Sequence, residues 1–83
     1  MGTDINWRMI GGIRLKNARR RKGLTLRDIS VMRPNFSQSR LSSYERGKRA
    51  MNPDVAYELG GIVEVSVAYL LCVDIFESKS YQL

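Results

Sequence analysis

The stretch from residue 24 to residue 49 carries start and stop signals for two short helices, and these signals constrain the fold more than any other feature. Thr25 is followed three residues later by Asp28, the spacing of a capping box, in which each side chain bonds the other residue's backbone amide. Ser37 has the side chain of a second N-cap. Apolar residues flank both caps at the spacing of a hydrophobic staple, Leu24 with Ile29 and Phe36 with Leu41. Local chemistry therefore predicts two helices in this stretch.

The residues between these helices, Met32-Arg33-Pro34-Asn35, predict a tight turn. Pro34 disfavours helical backbone at Arg33 and has no amide proton to donate. We therefore expect the first helix to end by about Arg33, and Asn35 is free to adopt a left-handed turn conformation. A generic helical hairpin carries the same signals, so the turn alone does not identify a function.

Charge is divided unevenly along the chain. Thirteen of the 14 basic residues lie between Arg8 and Arg49, opposed only by Asp28 and Glu45, so this window carries +11. The remainder, with one basic and six acidic residues, carries −5. An ordinary solvated surface mixes the two signs, whereas a concentrated basic region is typical of proteins that bind phosphates. The basic window coincides with the two capped helices, which favours nucleic-acid binding.

Composition limits the remaining possibilities. Eighty-three residues predict a single domain, residues 1–83, near the lower size limit for a stable hydrophobic core. The longest apolar stretch, residues 65–73, falls far short of the ~20 residues that span a bilayer, and residues 1–20 show no export signal. We expect a cytoplasmic protein without a membrane partner.

The residue types that most often perform chemistry are scarce. The chain has no histidine and one cysteine, Cys72. This leaves no zinc site and removes the commonest general base. We expect no enzymatic activity, no catalytic residue, no metal and no cofactor, with Cys72 packed as a small apolar side chain.

Helices are also expected on both sides of the central stretch. A first helix is expected over residues 7–22, with a start after Gly11-Gly12 as the alternative, because each glycine costs about 1 kcal/mol of helix propensity. Asn52-Pro53 predicts the start of a fourth helix, and Ser66 that of a short fifth one.

Two later segments remain open. Gly60-Gly61 falls inside the fourth helix, where it indicates either close approach of another backbone or a kinked helix. The tail, residues 73–83, either frays or pairs with a second subunit.

The chain resembles the lambda-repressor-like domain, specifically the Cro/repressor (Xre-type) helix-turn-helix family, over residues 12–71. The motifs that carry the resemblance are Gly23-Leu24-Thr25, Tyr44-Glu45-Arg46-Gly47 and Val65-Ser66-Val67-Ala68-Tyr69-Leu70-Leu71. The resemblance implies an all-α, compact five-helix domain with a core at about residues 8–72. Its second and third helices would form the helix-turn-helix.

The resemblance also implies roles for individual residues. The helix after Ser37 would enter the major groove of double-stranded DNA, and Arg19 would pair with Glu45 inside the fold. Base contacts would come from Gln38, Ser39 and Ser43, and phosphate contacts from Thr25, Lys48 and Arg49. Position and helical periodicity add Arg40 and Ser42 to the expected base contacts, and Arg27, Ser37 and Arg46 to the expected phosphate contacts. Since serines form single, promiscuous contacts, DNA shape and bridging water are expected to contribute to site choice.

Three features depart from the family pattern. The turn, Arg33-Pro34-Asn35, is one residue longer. Leu26 replaces a glutamine that usually contacts phosphate. Glu64 stands where the family usually has glycine between the last two helices.

The expected function is that of a phage- or plasmid-type transcriptional repressor that binds a palindromic operator as a homodimer. The expected dimer contacts are Val67, Leu70, Leu71, Val73, Ile75 and Phe76. Alternatives are an antitoxin or restriction-system controller, with a toxin or other regulator as a possible partner, or a protein-interaction adaptor of the same fold. RNA binding is less favoured because few aromatic residues lie near the basic region.

Overall fold

The computed structural model describes residues 5–74, and within that range the secondary structure is entirely helical. The five helices are α1 (Trp7–Arg21), α2 (Leu26–Met32), α3 (Gln38–Glu45), α4 (Pro53–Val63) and α5 (Val67–Leu70). α1 packs against α3, α4 and α5, while α2 packs against α3 and α4 against α5. None of these helices is both long enough and apolar enough to span a membrane. The prediction of an all-α, five-helix chain is confirmed over this range.

The N-caps of α2 to α5 are the residues that the sequence predicts. Side-chain oxygens of Thr25, Ser37, Asn52 and Ser66 each accept a hydrogen bond from the amide three residues later, at 2.8 to 3.1 Å. At α2 the capping box is complete, since the Thr25 amide also donates to the Asp28 carboxylate at 2.8 Å. These bonds satisfy amides that a helix start leaves without a partner.

α1 begins before its glycine pair. Asn6 is its N-cap, and the helix runs without interruption through Gly11 and Gly12. A Cβ atom at Gly12 would overlap the carbonyl oxygen of Tyr44. The glycine therefore lets α1 pack directly on the backbone of α3, and the alternative of a later helix start is wrong.

α4 is likewise continuous through Gly60 and Gly61. A Cβ atom at Gly60 would lie 2.6 Å from the Val65 carbonyl oxygen, so this glycine permits the chain to fold back closely after α4. The turn passes through Glu64, which has a left-handed backbone with φ 64°. That conformation explains why glycine is the usual residue at such a position. Lys22 donates to the Glu64 carboxylate at 2.7 Å.

One apolar core joins all five helices. Its fully buried members include Leu15 of α1, Ile29 of α2, Leu41 of α3, Leu59 of α4 and Leu70 of α5. Cys72 is also fully buried, as predicted for a packing residue, and burial raises the pKa of its thiol.

Candidate nucleic-acid interface

The connection from α2 to α3, residues 33–37, is closed by a backbone hydrogen bond and anchored in the core. The Phe36 amide donates to the Arg33 carbonyl at 2.8 Å, and the Phe36 side chain is 1% exposed. α2 ends at Met32, as the proline predicted. Within residues 5–74 the only non-glycine residues with positive φ are Glu64 and Cys72. The expectation of a left-handed Asn35 is therefore wrong. A turn with proline in its second position can be of type II, with positive φ at the third residue, or of type I, with negative φ there, and the observed turn agrees with type I.

α3 buries one side and exposes the other. Leu41, Tyr44 and Glu45 are buried. The predicted contact residues lie elsewhere on the helix surface: Gln38, Ser39 and Arg46 are exposed, and Ser42 and Ser43 are half-buried. The first turn of α3 is thus the part whose polar side chains are most accessible.

A buried ion pair holds α3 against α1. The Arg19 guanidinium donates from Nε to Glu45 Oε2 at 2.6 Å and from Nη2 to Glu45 Oε1 at 3.0 Å. Its Nη1 donates to the Leu24 carbonyl at 2.8 Å, just before the α2 cap. Hydrogen bonding to Glu45 raises the pKa of Arg19, so the guanidinium remains charged. This pair, which the family resemblance implied, fixes the end of α3 and the start of α2 relative to α1.

Exposed cations lie on α2 and at the C-terminal end of α3. Arg27, Arg46, Lys48 and Arg49 are exposed, and none of them pairs with a carboxylate among residues 5–74. The amides of Lys48 and Arg49 both donate to the Ser43 carbonyl, at 2.9 and 3.2 Å, which places these two residues directly beyond the end of α3. Within the described residues, the basic window therefore provides cations without carboxylate partners on α2 and at the end of α3.

The two capping hydroxyls are also accessible. Thr25 and Ser37 are exposed, and each uses its side-chain oxygen as an acceptor for a helix amide. A hydroxyl that accepts such a bond retains its own proton for donation. Either group can therefore donate to an anion such as a phosphate without losing its cap.

Arg40 departs from its predicted place among the base contacts. Its Nε donates to the Tyr44 hydroxyl at 2.8 Å and its Nη1 to the Asn35 carbonyl at 3.0 Å, and its guanidinium lies 4.9 Å from the Phe36 ring centre. The side chain therefore lies over the turn, and we no longer count Arg40 among the predicted base contacts. The signal in the sequence was the pair of aromatic residues four positions before and four positions after Arg40, the spacing at which helix side chains meet.

Two of the three aromatic residues near the basic window are buried. Phe36 and Tyr44 are 1% and 2% exposed and belong to the core. Trp7 is half-buried.

Of the predicted dimer contacts that the structure describes, three are accessible and one is buried. Val67 and Leu71 are half-buried, and Val73 is 39% exposed. Leu70 is 1% exposed because it fills the core between α1 and α4, so it is withdrawn from the predicted interface. Ile75 and Phe76 lie outside the described residues.

A third ion pair, between Arg14 and Asp74, holds the chain after α5 against α1. Arg14 Nη1 donates to Asp74 Oδ1 at 2.8 Å and to the Tyr69 carbonyl at 2.7 Å, and the guanidinium lies 4.4 Å from the Tyr69 ring centre. The bond to Asp74 raises the pKa of Arg14. Residues 69–74 are thereby held on the side of α1 that faces α5.

Within residues 5–74, no three side chains of His, Cys, Asp or Glu come together in a group that could hold a metal ion. Comparison of the chain with protein-family models, curated proteins and solved structures finds no match.

Proposed function

We propose that this protein is a sequence-specific, double-stranded DNA-binding transcriptional regulator of the Cro/repressor type, in which α2 and α3 act as a helix-turn-helix. The observation that carries the proposal is the accessible first turn of α3, where Gln38 and Ser39 are exposed on a helix whose other residues anchor it in the core. Exposed cations that pair with no carboxylate among residues 5–74 lie on α2 and at the end of α3. The exposed polar side chains are suited to contact base edges and the cations to contact phosphates, the two kinds of contact that DNA recognition requires.

In the proposed complex α3 enters the major groove by its N-terminal end. Eight residues of helix span about 12 Å, which suits a groove of about 12 Å width. Gln38 would bond adenine through its amide group, while Ser39 and Ser43 would make single contacts. Ser42 lies one turn after Gln38 and would contribute at the groove edge.

The phosphate contacts would come from both sides of α3. Arg27, Arg46, Lys48 and Arg49 would supply charge, and the hydroxyls of Thr25 and Ser37 would donate hydrogen bonds from the helix starts. These contacts position the protein and carry no sequence information. Their charge gives affinity that depends on salt.

The proposed assembly is a cytoplasmic homodimer that occludes a promoter. A core this small gains stability from association, and the proposed interface uses Val67, Leu71 and Val73, continuing into Ile75 and Phe76. A two-fold axis would place two α3 helices on half-sites about 34 Å apart.

Selection of bound sites from random duplex DNA, followed by footprinting, tests the proposal. A palindromic site with two protected half-sites is expected. Gln38→Ala should relax one base position in each half-site, at a cost of about 1–3 kcal/mol on the selected site and less on random DNA. Asn17→Ala is the matched control, because it removes an exposed amide from α1. Equal losses on both DNAs for Gln38→Ala would contradict its role in base recognition, and enrichment of no sequence would contradict the function.

A further inference from the structure

Arg40 links three separate points around the start of α3. We propose that it is a positioning residue which sets the orientation of α3 on DNA, and so determines site specificity without contacting a base or a phosphate. The inference rests on the proposed function for its consequence on DNA, but the link itself is a property of the free protein.

The three points are in the turn, in the core and one helical turn further along α3. Nη1 donates to the Asn35 carbonyl at 3.0 Å, and Nε donates to the Tyr44 hydroxyl at 2.8 Å. The guanidinium carbon also lies over the Phe36 ring, 4.9 Å from its centre. A guanidinium, with several N–H donors in fixed directions, can serve both acceptors while its charge lies over the ring.

Apart from Arg40, the turn is held by one closing hydrogen bond and by the Phe36 side chain, which is buried in the core. Its closing hydrogen bond joins the Phe36 amide to the Arg33 carbonyl, and Pro34 has no amide to add a second one. Asn35 is exposed, and the hydrogen bond to its carbonyl comes from Arg40. Without that bond the Asn35 carbonyl would lose its partner, and the peptide between Asn35 and Phe36 would be held only by the closing hydrogen bond and the buried Phe36 side chain.

Gln38 and Ser39 lie between the two anchored points. The Asn35 carbonyl precedes them, and the Arg40 side chain follows them and is fixed to Tyr44. The Arg40 amide also donates to Ser37 Oγ at 3.1 Å, so the same residue completes the cap. Since contact geometry must hold to about 0.5 Å for full effect, release of the turn would displace both side chains from the base edges. The cations at Arg27, Lys48 and Arg49 would still contact phosphates.

The test compares Arg40→Lys and Arg40→Gln with the control variant Arg33→Lys. Arg33 is an exposed arginine of the same turn, and its Nη1 donates to the carbonyl of the preceding residue at 3.4 Å. Dissociation constants are measured for the selected duplex and a scrambled duplex over a range of salt concentrations. Both Arg40 variants should lower the ratio of specific to non-specific affinity by about tenfold or more, the loss expected for a charge-assisted hydrogen bond. The salt slope should stay unchanged, and Arg33→Lys should leave the ratio unchanged.

The base profile distinguishes positioning from direct contact. Loss of preference should spread over all positions of the half-site contacted by α3. A loss of preference confined to one base pair would show that Arg40 contacts a base. A decrease of about one unit in the slope of log affinity against log salt concentration in Arg40→Gln would show that it contacts a phosphate. Either result overturns the proposal.

Hydrogen exchange in the free protein tests the link without DNA. Arg40→Lys should accelerate exchange of the Phe36 amide, while a core amide such as that of Leu59 keeps its rate. Tyr44→Phe, which removes one of the two acceptors of Arg40, should accelerate hydrogen exchange of the Phe36 amide to a smaller extent. Unchanged exchange at Phe36 would overturn the link even if DNA is bound. Accelerated exchange without any DNA binding would contradict the proposed function and the role of Arg40 on DNA together, leaving only the link in the free protein.

Discussion

Neutralising one member of the Arg19–Glu45 pair is expected to cost about 3–5 kcal/mol of folding free energy, because the remaining charge is left buried without its partner. The side chains of Arg19 and Glu45 are 11% and 6% exposed, and two hydrogen bonds join them. Glu45→Gln keeps the volume and one acceptor oxygen but removes the charge. Since a domain of this size loses roughly 4–8 °C for each kcal/mol, its melting temperature should fall by about 12 °C or more.

The matched control is Glu64→Gln, the same substitution in an exposed pair. Glu64 and Lys22 are 68% and 36% exposed in their side chains, although their distance of 2.7 Å is nearly equal to that of the buried pair. Solvent screening limits such a pair to below about 1 kcal/mol. The free energies of unfolding of both variants are measured by urea denaturation monitored by circular dichroism. Equal losses from Glu45→Gln and Glu64→Gln would refute the argument that burial determines the energy.

The remaining predictions concern stability. Gly61→Ala should stabilise the protein by about 0.5–1 kcal/mol, because no atom lies within 4 Å of the added Cβ. Gly60→Ala should destabilise it, because its Cβ would meet the Val65 carbonyl at 2.6 Å, and thermal denaturation of the pair is the check. The amide and hydroxyl of Thr25 lower the pKa of Asp28. The contribution of Asp28 to folding stability should be complete above the ordinary carboxyl pKa of about 4 and lost as the pH falls below it. When unfolding midpoints are measured over a pH series, Asp28→Asn should therefore show a smaller decrease in the acidic range.

The sequence predicts those parts of the fold that local chemistry decides. The caps at Thr25, Ser37, Asn52 and Ser66 depend on residues three positions apart, and all four are present. Pro34 ends α2 by a local steric effect. These interactions stay within about five residues of chain, so their patterns are visible without knowledge of the tertiary structure.

The parts that the sequence left open or mispredicted depend on contacts between distant segments. The start of α1 was ambiguous because Gly12 is explained only by the backbone of Tyr44, which lies 32 residues further along the chain. The sequence predicts Leu70 at an interface, since its burial in the core depends on how α5 meets α1 and α4. Arg40 has the sequence properties of a base contact, and its actual partners follow from the fold of the turn.

The measurement that tests the central claim most directly is the affinity of the full chain for the selected duplex and for a scrambled duplex as a function of salt. The account predicts a log–log slope equivalent to several released counterions, reduced by about one unit in each of Lys48→Ala and Arg49→Ala. It also predicts binding to the selected duplex at least about 10³-fold tighter than to the scrambled one. An affinity that is independent of salt, or equal affinities for the two duplexes, would contradict the proposal that α3 recognises DNA sequence.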